Sequence, residues 1–380
     1  MKKLKKALKW LPILLFTGIG IAAGYFAGQM GYSAAPGTSK ITVISIVCLF
    51  IPVFFAVIGF HEAGHAFMGV KVKFDFRMYI IGPFMWEKEQ NGWKFKWNKN
   101  VNTAGGLVVC LPTDRENLSK RFSLYAAGGP LASLILSIMS YLGYRLLSLA
   151  GTDGNTMLKV SASLLLLMSV MSIAIFVVTA LPLHNGGFSS DGARVLRLLG
   201  GGEKAEFEVL ILKIFTGSAG GIRPRDLDQD ELIRAKNLAV KRNAPLGVYL
   251  HGYFHQAAFD KGEFTKAEIH LQDYINDAGE IPAGIRNSVW LDAAFFYAFV
   301  KADIGQAEKY WNQYKPTALI PKAQVFATEA AMVFIKNDLA LSLLKTEDSL
   351  KEIPNMMDRG LGIALREKLL ELKAKIEARG

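Results

Sequence analysis

Four long stretches of this chain carry no charged residue: Trp10–Ser39, Ile41–Phe60, Phe122–Tyr144 and Val160–Leu183. A helix that crosses a hydrocarbon layer of about 30 Å needs about 20 such residues, because its backbone must satisfy its own hydrogen bonds there. The sequence therefore predicts a mainly α, polytopic transmembrane helix bundle of about four spans, over residues 8–30, 41–69, 121–149 and 157–183. Hydrophobic residues make up 51% of the 380. Spread evenly they would suit two or three soluble domains, and their segregation into runs excludes that reading. Lys2, Lys3, Lys5, Lys6 and Lys9 make a basic start, but the apolar run that follows is too long for a signal peptide and reads as an uncleaved anchor.

Orientation follows from the short loops. The loop Lys71–Arg121 holds ten Lys or Arg, the loop 31–40 holds one, and 151–155 holds none. The positive-inside bias then puts both termini, and the ends of the second and fourth helices, on the cytoplasmic side of a bacterial cell membrane. The net charge of +11 is concentrated beside these spans, where anionic headgroups account for it, and no nucleic-acid motif accompanies it. Cys48 and Cys110 are too few and too far apart for a disulfide framework or a cysteine zinc site.

Directly after the second uncharged run comes His61-Glu62-Ala63-Gly64-His65. On a helix the two histidines, four apart, share one face, so both imidazoles can reach one ion while Glu62 stands beside it. This is the pattern H-E-x-x-H. It suits Zn²⁺, which accepts neutral imidazole nitrogen and lowers the pKa of water from about 15.7 toward roughly 7. A neighbouring carboxylate is then the general base of amide hydrolysis. Ionisable groups at membrane depth are costly and mark function, which favours a metal site here over a chance match.

Two imidazoles and water leave zinc one protein ligand short. Asp191 is the leading candidate for the third, since it follows the last span in the Gly-rich segment 184–192 and Gly192 permits close backbone approach. His184 is the runner-up. Asp75 and Asp114 sit in strand or loop sequence, and Asp191 also has the character of a helix N-cap for the residues from Ala193 onward.

The loop after the second span predicts a small membrane-associated β-hairpin region, residues 71–98. Polar and apolar residues alternate over 71–81, and Asn91-Gly92 between 84–90 and 93–97 signals a type I′ turn. Trp86, Trp93 and Trp97 suit the headgroup level. A strand edge at this place can hold an unwound substrate.

Taken together, residues 40–200 resemble the site-2 protease family of intramembrane zinc metalloproteases. The resemblance rests on His61-Glu62-x-x-His65 in one span, Gly129-Pro130 at the start of the next, and Asp191-Gly192 after the last. It implies one zinc per chain held by His61, His65 and Asp191, with Glu62 activating water against a peptide bond of a membrane-anchored substrate. The chain departs from the family pattern at Thr179 and Ser133, where an Asn is usual, and in the longer distance from Pro182 to Asp191. Asn185, His184 and Pro182 are the expected contacts to substrate or transition state in their place.

From about residue 201 charged and apolar residues alternate at helical spacing. Lys261-Gly262-Glu263-Phe264 recurs as Lys301-Ala302-Asp303-Ile304, with a weaker echo at Lys336-Asn337-Asp338. Such periods predict a cytoplasmic α-helical repeat domain, tetratricopeptide-like, over 201–380, able to bind a protein partner. His251 and His255 form a second helical pair without a following Glu and read as packing residues; His270 shows no partner. The expected function is intramembrane zinc endopeptidase, with regulated proteolysis as a setting for it. An inactive membrane scaffold that binds partners through its repeats is the alternative, and a metal transporter is disfavoured because the polar residues gather at one level.

Overall fold

The computed structural model describes residues 40–380 apart from 90, 99–102, 152–154, 186–187, 243, 245–246, 282–285, 318–319 and 380. The span expected over 8–30 lies outside the described residues. Among them, three helices are long and apolar enough to cross a membrane: α1 (Lys40–Lys71), α2 (Leu118–Leu149) and α3 (Thr156–Ala180). Large apolar side chains stand exposed along all three, among them Val47, Met139 and Val170. In water such faces would be costly; against lipid they are the expected surface. The last helix ends at Ala180, three residues before the sequence expectation, because Pro182 cannot extend it and the pre-proline residue avoids the helical region.

Contacts group the chain into two units, one of residues to Ala56 with Leu136–Ser172, the other of Val57–Ile135 with Ile173–Gly380. In the first, α2 and α3 are joined by a reciprocal pair: Ser137 Oγ donates to the Ser169 carbonyl at 3.0 Å and Ser169 Oγ to the Ser137 carbonyl at 2.9 Å. Small hydroxyl residues of this kind let membrane helices approach and hydrogen-bond across the interface.

In the second unit a four-stranded antiparallel sheet follows α1. Its strands are β1 (Phe74–Ile81), β2 (Phe84–Glu89), β3 (Gly92–Trp97) and β4 (Leu107–Pro112), in the order β3-β2-β1-β4. The hairpin expected over 71–98 is present as β1–β3, with one correction at its tip. Glu89 pairs with Gly92, so Gly92 opens β3 instead of standing at the centre of the turn, and its φ of +108° accounts for the glycine. The unexpected strand is β4, which pairs with β1 and leaves β3 and β4 as the edges.

The remaining elements are the two-residue strands β5 (His184–Asn185) and β6 (Phe188–Ser189), then helices α4 (Asp191–Gly200), α5 (Gly202–Gly220), α6 (Gln229–Arg242), α7 (Val248–Asp260), α8 (Phe264–Asn276), α9 (Asn287–Phe299), α10 (Ile304–Trp311), α11 (Lys322–Ile335), α12 (Leu339–Glu352) and α13 (Arg359–Glu377). The similar sequences noted above fall at equivalent turns of three helical hairpins, α7–α8, α9–α10 and α11–α12. Each turn holds a left-handed residue, Gly262, Ala302 or Asn337, with φ of +79°, +50° and +63°. Asp303 and Asp338 then cap the second helices of their hairpins by accepting from the Gln306 and Leu341 amides. Ala293, Phe296, Ala327 and Leu369 lie at the centre of the shared core. α13 is tied to earlier elements by Arg223, which donates to Asp260 at 3.1 Å and to Glu367 at 2.7 Å.

His255, fully buried, donates from Nδ1 to the Ala267 carbonyl at 2.8 Å, as a packing residue would. It lines a cavity together with Asp292. Burial pushes the His255 pKa down to about 4 and the Asp292 pKa up to about 7. A raised carboxyl pKa gives stability that is present below the unfolded value of 3.8 and lost as pH rises toward 7. A depressed histidine pKa works oppositely, its contribution being lost as pH falls from 6.5 to about 4. The two slopes oppose one another across that window. Asp292→Asn should therefore uncover a rise in stability of roughly 3 kcal/mol between about pH 4 and pH 6.5. Thermal unfolding at the two ends of the window checks this, and equal shifts at both would refute it.

Candidate metal centre

α1 carries the motif in its final turns, and glycines let it sit close to its neighbours on three levels. A Cβ at Gly59 would meet Ile81 of β1 at 2.8 Å, and one at Gly69 would meet Cys110 of β4 at 2.6 Å. Between them Gly64 faces Gly128 of α2 so closely that a side chain on either would overlap the other's carbonyl oxygen. Tyr79 Oη adds a hydrogen bond to the Gly59 carbonyl, one half-turn before the motif. The register of α1 is thereby fixed by close contact with side chains of the sheet and with the backbone of α2.

His61 and His65 are buried, at 6% and 8% exposure, with Nε2 of each directed at Asp191. The distances to Asp191 Oδ2 are 3.5 Å from His61 and 3.4 Å from His65. All three donor atoms lie within 4.8 Å of one another. Zinc ligands about 2.0–2.2 Å from a tetrahedral ion stand roughly 3.4 Å apart, so this donor set fits zinc in type and spacing. Burial raises the Asp191 pKa, but the two imidazoles outweigh it and hold the carboxyl well below the usual carboxylate range. It is therefore ionised, as a ligand must be.

The far ring nitrogens are engaged as well. His65 Nδ1 donates to the Tyr125 carbonyl at 2.9 Å. The Gly129 N–H approaches the same nitrogen at 3.3 Å; the shorter contact decides, since a carbonyl only accepts, and Nδ1 carries the proton. His61 Nδ1 lies 2.9 Å from Ser133 Oγ. An imidazole protonated at Nδ1 presents a bare Nε2 to a metal beside Asp191; His65 has a carbonyl acceptor for that proton, and the Ser133 hydroxyl is placed to accept it from His61. That space exists because residue 129 is glycine: a Cβ there would come within 2.7 Å of His61 Nε2 and nearer still to His65 Nε2.

A model described as Peptidase family M50 matches residues 49–349. The chain belongs to peptidase family M50. M50 proteins are site-2 protease-like intramembrane metallopeptidases, typically zinc-dependent, so this chain is a membrane protein with a protein substrate. No curated protein and no solved structure matches it.

Within this M50 chain Glu62 is buried beside the two histidines, and the backbone at Gly106 closes on it. A Cβ at Gly106 would stand 2.5 Å from Glu62 Oε1, and the φ of +106° there also calls for glycine. Asp191 is the first residue of α4 and not its cap. Ser190 is the cap, accepting from the Ala193 amide at 3.2 Å, which frees the Asp191 carboxylate to face the histidines. Gly192 lets this segment pass against Ala180 at the end of α3, where any side chain would overlap the carbonyl. His184 and Asn185 form β5, paired with β6, and Pro182 is exposed in the segment before it. Asp75 is held by Arg77 and Lys88, and Asp114 by Arg121.

Sequence reasoning missed Tyr125, Ser133 and Gly106. Ser133 reads in the sequence as a departure from an Asn, although its place one turn after Gly129-Pro130 signals that it lies on the same helix face. Ser133→Ala should weaken zinc binding by about tenfold, the lower end of the range for an outer-shell partner. Competition with a chromophoric chelator reads the affinity, and an unchanged value would remove Ser133 from the site.

Proposed function

We propose that this M50 chain is a zinc endopeptidase that hydrolyses a peptide bond of a membrane-anchored protein near the cytoplasmic face. The observation that carries this reading is the convergence of two imidazole nitrogens and one carboxylate, from α1 and α4, within 4.8 Å. His61, His65 and Asp191 would hold the ion. When bound, zinc supplies Lewis acidity that polarises the scissile carbonyl and acidifies water.

Glu62 is the general base: it takes a proton from water and returns it to the departing amine. Ser133 and the Tyr125 carbonyl keep the imidazoles in the required tautomer. The backbone near Gly106 limits solvent around Glu62, which strengthens its interaction with the developing charge. The substrate must unwind to expose its amide, and the edges of β3 and β4, which pair with no further strand among the described residues, suit it as an added strand. Asn185, His184 and Pro182, on the segment leading to Asp191, remain the candidate contacts to it.

The Lys and Arg of the 71–121 loop favour a cytoplasmic position for the sheet and for residues 201–380 in a bacterial membrane. The three hairpins with equivalent turns support a tetratricopeptide-like repeat, whose role would be to bind a protein that recruits or restrains the peptidase. Membrane proteomes of cells holding the native chain or Glu62→Gln test the reading. A precursor should accumulate only in the latter, and indistinguishable proteomes would refute it.

A further inference from the structure

The helical hairpin α7–α8 brings together residues that the sequence leaves apart. His251, in the first turn of α7, meets His270 and Asp273, which lie one turn apart on α8. One donor atom from each falls within 4.8 Å of the others. His251 Nδ1 is 3.8 Å from Asp273 Oδ2, and on its far side Nε2 is 3.4 Å from Asp277 Oδ2. The Nδ1 atoms of His251 and His270 are both buried, and neither has a hydrogen-bond partner among the described residues.

Two buried ring nitrogens without hydrogen-bond partners are expensive unless something else engages them. Protonating either Nδ1 gives a donor with no acceptor within hydrogen-bond distance, Asp273 Oδ2 being 3.8 Å from His251 Nδ1, whereas a metal ion takes the lone pair of each. We propose that His251, His270 and Asp273 form a second metal site, separate from His61, His65 and Asp191, for a divalent transition-metal ion of the zinc class.

The arrangement has the parts such a site needs. Two imidazoles and a carboxylate are borderline ligands that favour zinc or a neighbouring first-row ion over magnesium or calcium. Asp277 stands where an outer carboxylate accepts from the far nitrogen of a ligating histidine, which orients the ring. The helices are already close at this level, for Gly252 leaves only 3.1 Å between a would-be Cβ and the Tyr274 ring, so binding requires no large movement. The three residues are partly exposed, which allows the ion to exchange with solution. Its effect would be to tie α7 to α8 at the end away from their Gly262 turn.

The full chain in detergent, equilibrated with Zn²⁺ and freed of loose metal, should hold about two zinc ions. His270→Ala or Asp273→Asn should each lower this by about one, and a chain with His61→Ala and His65→Ala should keep about one. That last chain leaves the α7–α8 hairpin untouched, so it decides the matter even where His270→Ala fails to fold. It also separates this site from the catalytic reading. No zinc in that chain, or the same zinc content in native and folded His270→Ala protein, would overturn the proposal.

Discussion

Gly129→Ala should weaken zinc binding about 100-fold while leaving the chain helical. The added methyl enters the space between the two Nε2 atoms, 2.7 Å from that of His61, and nothing there is free to yield. His65 is held through Nδ1 by the Tyr125 carbonyl and His61 by Ser133. Residue 129 itself cannot retreat, because Gly128 beside it already touches the backbone of α1 at Gly64. Overpacking of this kind costs about 1–3 kcal/mol, equivalent to 10- to 100-fold in affinity, and rigid surroundings favour the upper end. Zinc content under chelator competition, read beside circular dichroism, checks the effect. Native affinity in a folded variant would show that the ion does not lie between these nitrogens.

Glu62→Gln should lower turnover by about 10²- to 10⁴-fold with zinc still bound. The amide keeps the size of the carboxylate, so the close passage of Gly106 over Oε1 is preserved, and none of the three proposed metal donors changes. What is lost is the capacity to accept a proton. Purified native and variant chains, compared on the precursor that accumulates in cells, give the ratio. Turnover within a few-fold of native would transfer the base role elsewhere, whereas simultaneous loss of zinc would make Glu62 a support of the metal centre.

Much of this arrangement was legible because its causes are local. The uncharged runs, the four-residue spacing of His61 and His65, and the alternation over 71–81 each follow from one element's own periodicity. Asp191 was reachable as a candidate by elimination along the chain, although its N-cap character pointed to a position that Ser190 fills. The strand Leu107–Pro112 escaped notice because a short continuous apolar run has no alternation to reveal it, and only pairing with β1 identifies it. Ser133, the Tyr125 carbonyl and Gly106 are set by the packing of α2 and a loop on α1, so no spacing along the chain could announce them. His251 and His255 show the same limit: they share a spacing with His61 and His65, yet one is buried against a carbonyl of the next helix while the other faces His270 and Asp273.

The ends of the ten-residue segment Leu181–Ser190 are clasped by one hydroxyl. Ser190 Oγ donates to the Leu181 carbonyl at 2.5 Å and accepts from the Leu183 and Ala193 amides at 3.1 and 3.2 Å, while the Ser190 N–H donates to the Leu183 carbonyl at 3.0 Å. Under the proposed function, exchanges between Leu183 and Ser190 can then alter substrate contacts without displacing the Asp191 carboxylate, so substrate preference and metal chemistry are free to diverge independently in this chain.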